Sequence, residues 1–355
     1  MVTLSVLDQS PVRAGGTAAQ ALRETLQLAE LCDQLGYARY WVAEHHNTGG
    51  LAGASPEVLI GQIAARTGRI RVGSGGVMLS HYSPLKVAEQ FRMLEAFYPG
   101  RIDLGIGRAP GSDGKTAGIL AYGRHLPGDI FTDQLQDLSG FLTDEFPEGH
   151  PFKGVRASPR IETAPELWLL GSTWHSAGLA AHLGWGFSFA HFISPDGGED
   201  VIRTYKRDFR PSALLPEPRA SIGVSVTCAE TTAEAERLSY SRWAWRAAGQ
   251  RLGGGRGGIP SPEEAMDLLL TAQDREYIEY MKSRSVYGDP AQVKAKLLAL
   301  GERYDVDEFV VVTITHDFAA RMRSYELLAE VFELKGALTP VPSPVTTGEG
   351  GSRQP

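Results

Sequence analysis

Four short stretches of the chain combine residue types that can do chemistry. Glu44-His45-His46-Asn47 sets two imidazoles side by side. A neutral imidazole near pH 7 suits general-base work; the plainer reading has one histidine packed and the other solvated. A metal pair is a poor reading, because adjacent side chains diverge at a strand end and neither H-x-H nor H-E-x-x-H surrounds them. Gly75-Gly76 is either a loose strand end or a place where backbone without Cβ atoms approaches a flat ring closely. Such a step can adopt conformations barred to other residues, a cis peptide among them.

Gly105-Ile106-Gly107-Arg108-Ala109-Pro110 begins like a dinucleotide fingerprint, but Pro110 stands where the third glycine of G-x-G-x-x-G belongs, so that reading fails. Arg108 is left as a phosphate clamp or a surface charge. Gly171-Ser172-Thr173-x-x-Ser176 opens a helix, where free N–H groups, hydroxyls and the positive end of the dipole favour an anion. The same hydroxyls are ordinary N-cap residues, and the two roles are compatible. Together Arg108 and this helix start describe one phosphate held from two sides.

Each stretch follows a strand signal. Apolar β-rich runs are expected at Thr3 to Asp8, Arg39 to Glu44, Arg69 to Gly75, Arg101 to Gly107, Glu166 to Gly171, Trp185 to Ala190, Ala220 to Val226 and Asp307 to Thr313. Helical periodicity fills the gaps. Thr17 and Gln20 form a T-x-x-Q capping box, Leu22, Leu26, Ala29 and Leu31 or Cys32 recur at helical spacing, and Gly36 can stop the helix. Eight strands each followed by a helix predict an α/β fold, the (β/α)8 TIM barrel, whose active site lies at the C-terminal ends of the strands.

Two insertions interrupt the repeat, after strands 4 and 7: residues 109–165, with one helix expected over Asp129 to Phe146, and residues 249–289. The barrel is expected over 1–335 and a disordered Pro/Gly-rich tail over 336–355. Trp174, Trp185, Phe187, Phe189 and Phe192 could line a pocket, although core packing is their commoner fate. His191, and Arg251 and Arg256 in the second insertion, are left open between a role at the site and a structural or solvated one.

Composition narrows the partners. Lys plus Arg number 35 against 42 Asp plus Glu, a net charge of −7, with no basic run, so nucleic acid and anionic membranes are poor partners. Two cysteines, Cys32 and Cys228, offer no disulfide framework or cysteine metal site. No apolar run approaches the ~18 residues of a membrane span and no secretory signal opens the chain, so a cytoplasmic location is expected.

The stretches LSVLDQSPV, RYWVAEHHN, RVGSGGVMLSHYSPLKVAEQF, PGRIDLGIGRAPG, LLGSTWHSAGLAAHLG, FAHF and VTITHDFAARMRSYELLAE resemble, in order and spacing, the bacterial-luciferase-like flavin monooxygenases, specifically the single-chain luciferase-family oxidoreductases. The resemblance spans about residues 3 to 334. It implies an FMN pocket at the strand C-termini with His45 as catalytic acid/base group. It places Gly75-Gly76 at a non-prolyl cis peptide behind the isoalloxazine, and Arg108 with Gly171, Ser172, Thr173 and Ser176 at the FMN phosphate. It makes 249–289 a mobile lid, and the helices at Pro56 to Thr67 and Pro84 to Phe97 the faces of a homodimer.

Gly107 stands where the light-emitting subunit carries a reactive cysteine, and Ser172 where it carries a glutamate, so light emission is not implied. The expected activity is oxygenation of a small organic substrate through a C4a-(hydro)peroxyflavin, using O2 and reduced FMN from a separate NAD(P)H:flavin reductase. The alternatives are a deazaflavin-dependent hydride-transfer enzyme of the same superfamily and a non-catalytic flavin-binding protein. A barrel metallohydrolase using His45 and His46 lacks further ligands.

Overall fold

The computed structural model describes residues 2–109, 111–122, 130–251, 257–268 and 270–336, the side chains of 250 and 251 excepted. Its strands are β1 (Thr3–Asp8), β2 (Arg39–Val42), β3 (Arg71–Met78), β4 (Ile102–Gly107), β5 (Glu166–Gly171), β6 (Gly186–Phe189), β7 (Ala220–Cys228), β8 (Val286–Gly288) and β9 (Glu308–Val312). All pair in parallel, and the order β1-β2-β3-β4-β5-β6-β7-β9 closes on itself through Val6 opposite Val311. This is the expected eight-stranded barrel. β8 was not expected; it adds three residues to the far end of β7, pairing Val226 with Val286.

The helices are α1 (Ala18–Leu35), α2 (Pro56–Ala64), α3 (Pro84–Phe97), α4 (Gly114–Leu120), α5 (Phe131–Thr143), α6 (Trp174–Leu183), α7 (Gly198–Asp208), α8 (Thr232–Arg251), α9 (Pro262–Met266), α10 (Ala272–Arg284), α11 (Pro290–Tyr304) and α12 (Phe318–Val331). Among the described residues the first insertion holds two helices rather than the one expected: α4 is capped by Asp113, whose carboxylate accepts from Thr116 N and from Asn47. Only half of the Thr17 capping box forms. Thr17 Oγ1 accepts from Gln20 N, but the Gln20 amide turns to Glu24 at 3.0 Å. Gly36 ends α1 in the left-handed region at φ 91°, as a helix-stopping glycine can.

Period-two alternation decides which side chains fill the barrel. Val6, Tyr40, Val72, Leu104 and Val311 point outward into the layer beneath the helices, while Leu7, Trp41, Trp168, Val310 and Val312 form an inner cluster. Trp41 and Trp168 meet edge to face at 5.3 Å and block the middle of the barrel.

Below the tryptophans lies an ionic layer. Arg39 reaches Asp103, Glu166 and Glu308 at 2.8, 2.9 and 2.9 Å, and Arg71 meets Asp103 at 2.6 Å. Trp41 Nε1 and Ser5 Oγ donate into the same carboxylates. Burial opposes the charge on Arg39, but the three carboxylates hold its pKa above the ordinary guanidinium value.

Both cysteines are free and buried, and burial pushes the Cys228 thiol up to about 12 and that of Cys32 well above its ordinary value. Among the described residues no helix is long and apolar enough to cross a membrane. The expected tail lies, from residue 337 on, outside the described residues.

Candidate active site

A cavity of about 310 Å³ sits at the C-terminal mouth of the barrel, above the tryptophans. That size is within the range of small-ligand sites. His45, Gly75, Gly76, Arg108, Gly171, Ser172, Thr173 and Ser176 all line it. The remaining walls are mostly apolar and come from several elements: Leu7 and Trp41 from strands, Phe131 from α5, Leu179 from α6, and Phe192 from the loop after β6.

Alternation along β2 explains the two histidines. Positions 39, 41 and 43 face the barrel interior, and the same parity turns His45 into the mouth and His46 away from it. His46 Nε2 lies 2.7 Å from Glu44 Oε1. The buried Glu44 also accepts from Tyr82 OH at 2.8 Å and from Met78 N at 2.9 Å, which ties the end of β2 to the end of β3. His45 is held by its backbone, N donating to Gly53 O at 2.7 Å, while its buried Nδ1 has no hydrogen-bond partner. Burial, with the charges of His46 and Arg246, pulls its pKa down to about 4, so the ring is neutral at pH 7.

The Gly75-Gly76 peptide is cis. A side chain at Gly76 would meet rigid backbone, and one at Gly75 would have to displace Leu7. A Cβ on Gly75 would stand 2.6 Å from Leu7 Cδ1, and one on Gly76 2.8 Å from Gly105 O. The ladder to β4 skips Gly76, with Gly75 opposite Gly105 and Val77 opposite Ile106, so this bare stretch of backbone forms one wall of the cavity.

Next to this wall, β4 and β5 pair Gly107 with Leu170, and this register carries Arg108 alongside Gly171. Thr173 is the N-cap of α6 and forms a capping box with Ser176, whose N donates to Thr173 Oγ1 at 3.3 Å. A Cβ at Gly171 would stand 2.3 Å from Ser176 Oγ, so the glycine leaves room for the box. The N-cap reading therefore holds, and Arg108 lines the same cavity as this helix start.

A second chamber of about 380 Å³ adjoins the first and shares Gln9, His45, Phe192 and Ile193 with it. Its far wall is the face of α8 that carries Arg242, Trp245, Arg246 and Gly249. These residues escaped the sequence reading; their i, i+3, i+4, i+7 spacing on α8 is the signal that could have found them. Also missed were His175, Met78 and Gln9 in the first cavity.

Of the aromatic candidates, Trp185, Phe187 and Phe189 are core, Trp174 is exposed and Phe192 lines both cavities. His191 packs edge-on against Tyr304 at 5.7 Å and lines neither of these two cavities. In the second insertion, α9 and α10 pack on α8 through Ala265, Ile278 and Met281. Ile259 is laced to the loop after β1, with Ile259 N donating to Val12 O and Ala14 N to Ile259 O, each at 2.7 Å. The side chain of Arg251, and Arg256, lie outside the described residues. Among the described residues no group of three or more His, Cys, Asp or Glu could hold a metal ion.

A parallel barrel that gathers these groups at the C-terminal ends of its strands is built as an enzyme. The chain belongs to the luciferase-like monooxygenase family, whose model matches residues 2–306, and it is an oxidoreductase. It is 40% identical over 332 residues to a luciferase-like monooxygenase of Escherichia coli strain K12, covering 94% of this chain and 97% of the relative. It is 38% identical over 333 residues to an N-acetyl-S-alkylcysteine monooxygenase of Bacillus subtilis strain 168, covering 93% and 98%. Among solved structures, apo-MsnO8 matches with a TM-score of 0.84 and 42% identity over 95% of this chain and 99% of that one.

Proposed function

We propose that the protein is an FMN-dependent monooxygenase that accepts reduced FMN from a separate NAD(P)H:flavin reductase and uses O2 to place one oxygen atom on a small organic substrate. The observation that carries this reading is the convergence of His45, the Gly75-Gly76 step and the Arg108, Ser172, Thr173 and Ser176 cradle in one cavity. These residues fit the cofactor. Backbone without Cβ atoms suits the face of a flat ring, the cradle suits a phosphate, and the orphaned His45 Nδ1 comes from the strand end on the other side of the glycines from that cradle.

When bound, reduced flavin supplies the oxygen-activating chemistry. The chain does the rest. Arg108 and the N-terminus of α6 would anchor the phosphate, Gly75-Gly76 would back the ring, and the apolar walls would keep bulk water from it. His45 is neutral, so Nδ1 can accept a proton from the substrate or flavin edge and return it later in the cycle. The protein would pair as a homodimer through α2 and α3, where Val58, Met93 and Phe97 remain 65%, 51% and 70% exposed, far more than large apolar side chains usually are.

The test is to mix the protein anaerobically with photoreduced FMN, add oxygenated buffer and record the flavin spectrum. Reoxidation slower than that of free FMN, through a transient spectrum that is neither reduced nor oxidised flavin and is shorter-lived in His45→Ala, is the expected result. Binding of FMN with unaltered reoxidation would instead indicate a carrier. Failure to bind FMN, with binding of a deazaflavin, would indicate hydride transfer.

A further inference from the structure

The second chamber contains a charge that no carboxylate among the described residues answers. Arg242 is buried, its Nη1 donates to Ser225 Oγ, and its Nε has no hydrogen-bond partner. Arg246 follows one turn later on the same face of α8, half-buried. Neither guanidinium has a carboxylate partner among the described residues, and no described residue lining the chamber is Asp or Glu. A buried cation is costly to leave unpaired, and two on one wall are costlier.

The other buried arginines of the barrel are paired. Buried Arg39 is met by three carboxylates, and buried Arg321 by Asp8 at 2.7 Å. Burial and the neighbouring Arg246 drag the Arg242 pKa down to about 9, so the site as built carries a strong electrostatic demand. Apart from Gln9 and His45, the rest of the chamber is lined by Leu51, Phe192, Ile193, Trp245, Gly249 and Ile314, which carry no charge. At its inner end stands His45.

We infer that this chamber is the substrate subsite and that it takes a small organic anion. The carboxylate or sulfonate would lie on Arg242 and Arg246, and the apolar body would run past Phe192 toward His45. The direction of entry follows from the placement of the charges: the anionic end is held away from the flavin cavity and the neutral end is delivered to it. This rests on the function proposed above for the first cavity, but binding of the anion can be measured without any turnover.

The test is a calorimetric titration of the full chain in low-chloride buffer, with and without saturating oxidised FMN. The probes are hexanoate and hexanesulfonate, with uncharged hexanamide and hexanol as their partners. The anions should bind roughly tenfold more tightly than the neutral probes. Arg242→Gln and Arg246→Gln should each abolish that preference, Arg242→Lys should keep part of it, and FMN affinity should stay within about twofold in all three. Should Arg242→Gln fail to fold, the half-buried Arg246→Gln decides alone.

Equal binding of anions and neutral probes, no binding of either, or a preference that survives both glutamine variants would overturn the inference. So would a loss of FMN but not riboflavin affinity in these variants, which would assign the arginines to the cofactor phosphate. An arginine-dependent anion preference in a chain that binds no FMN would leave the subsite standing and remove the flavin reading instead.

Discussion

The two ends of the barrel handle charge in opposite ways. At the N-terminal end Arg39, Arg71, Asp103, Glu166 and Glu308 form a closed set in which every charge touches an opposite one. At the C-terminal mouth His45 and Arg242 keep buried nitrogens without partners. Both ends are desolvated, so the contrast comes from what was placed beside each charge rather than from depth. A closed network holds a fold together; an open one costs stability and is kept where a ligand completes it.

The largest effect should come from breaking the closed end. Arg39→Met leaves Glu308 without its cation and removes one partner each from Asp103 and Glu166, which keep Arg71 and Arg219, and urea unfolding should show a loss of about 3–5 kcal/mol. The folded fraction should bind FMN as before; a parallel fall in flavin affinity would show that the two ends are coupled. At the open end the order reverses. His45→Ala should lower turnover by about 10²–10⁴-fold, with little change in unfolding free energy and flavin affinity. Equal losses of stability and rate would mark His45 as a packing residue.

Arg108→Ala should weaken FMN by roughly 10- to 100-fold and leave riboflavin unchanged. Unchanged FMN binding would remove Arg108 from the phosphate site. The smallest effect is a pH slope. The folded pKa of His45 is lowered to about 4 from an ordinary 6.5, and burial lowers His191 likewise. The unfolded chain therefore takes up protons that the folded chain excludes. Stability should be full above 6.5 and fall as pH drops from there toward 4, by about 1 kcal/mol per histidine near pH 5.5. His45→Gln and His191→Gln should each remove one share of the slope. Loss of the whole slope in either variant would contradict two independent sites.

Residues on strands and immediately after them were legible because strand parity and the barrel rule fix where they point. His45, Arg108 and the Ser172 to Ser176 stretch could be placed by counting from the nearest strand. Residues that reach the mouth from far along the chain were not. Arg242 and Arg246 stand 14 and 18 positions beyond the end of β7, and only the folding of α8 back over the barrel brings them to His45. In the sequence they look like the solvated charges of a surface helix. The ionic floor was hidden for the same reason, since its members come from five strands and each alone reads as the ordinary charged start or end of a strand. The short strand β8 is three residues long and owes its existence to the end of β7 beside it.

The burial of the two cysteines bears on how long such a catalyst would last. Under the proposed function, reduced flavin that meets oxygen with no substrate present releases hydrogen peroxide inside the protein. Peroxide attacks thiolates, and Cys32 and Cys228 are both shut away and held in the protonated form, so neither is a ready victim. The sulfur nearest that chemistry is of another kind. Met78 lines the cavity where peroxide would be generated, and its conversion to the bulkier, polar sulfoxide beside Gly107 would wear the enzyme out from within.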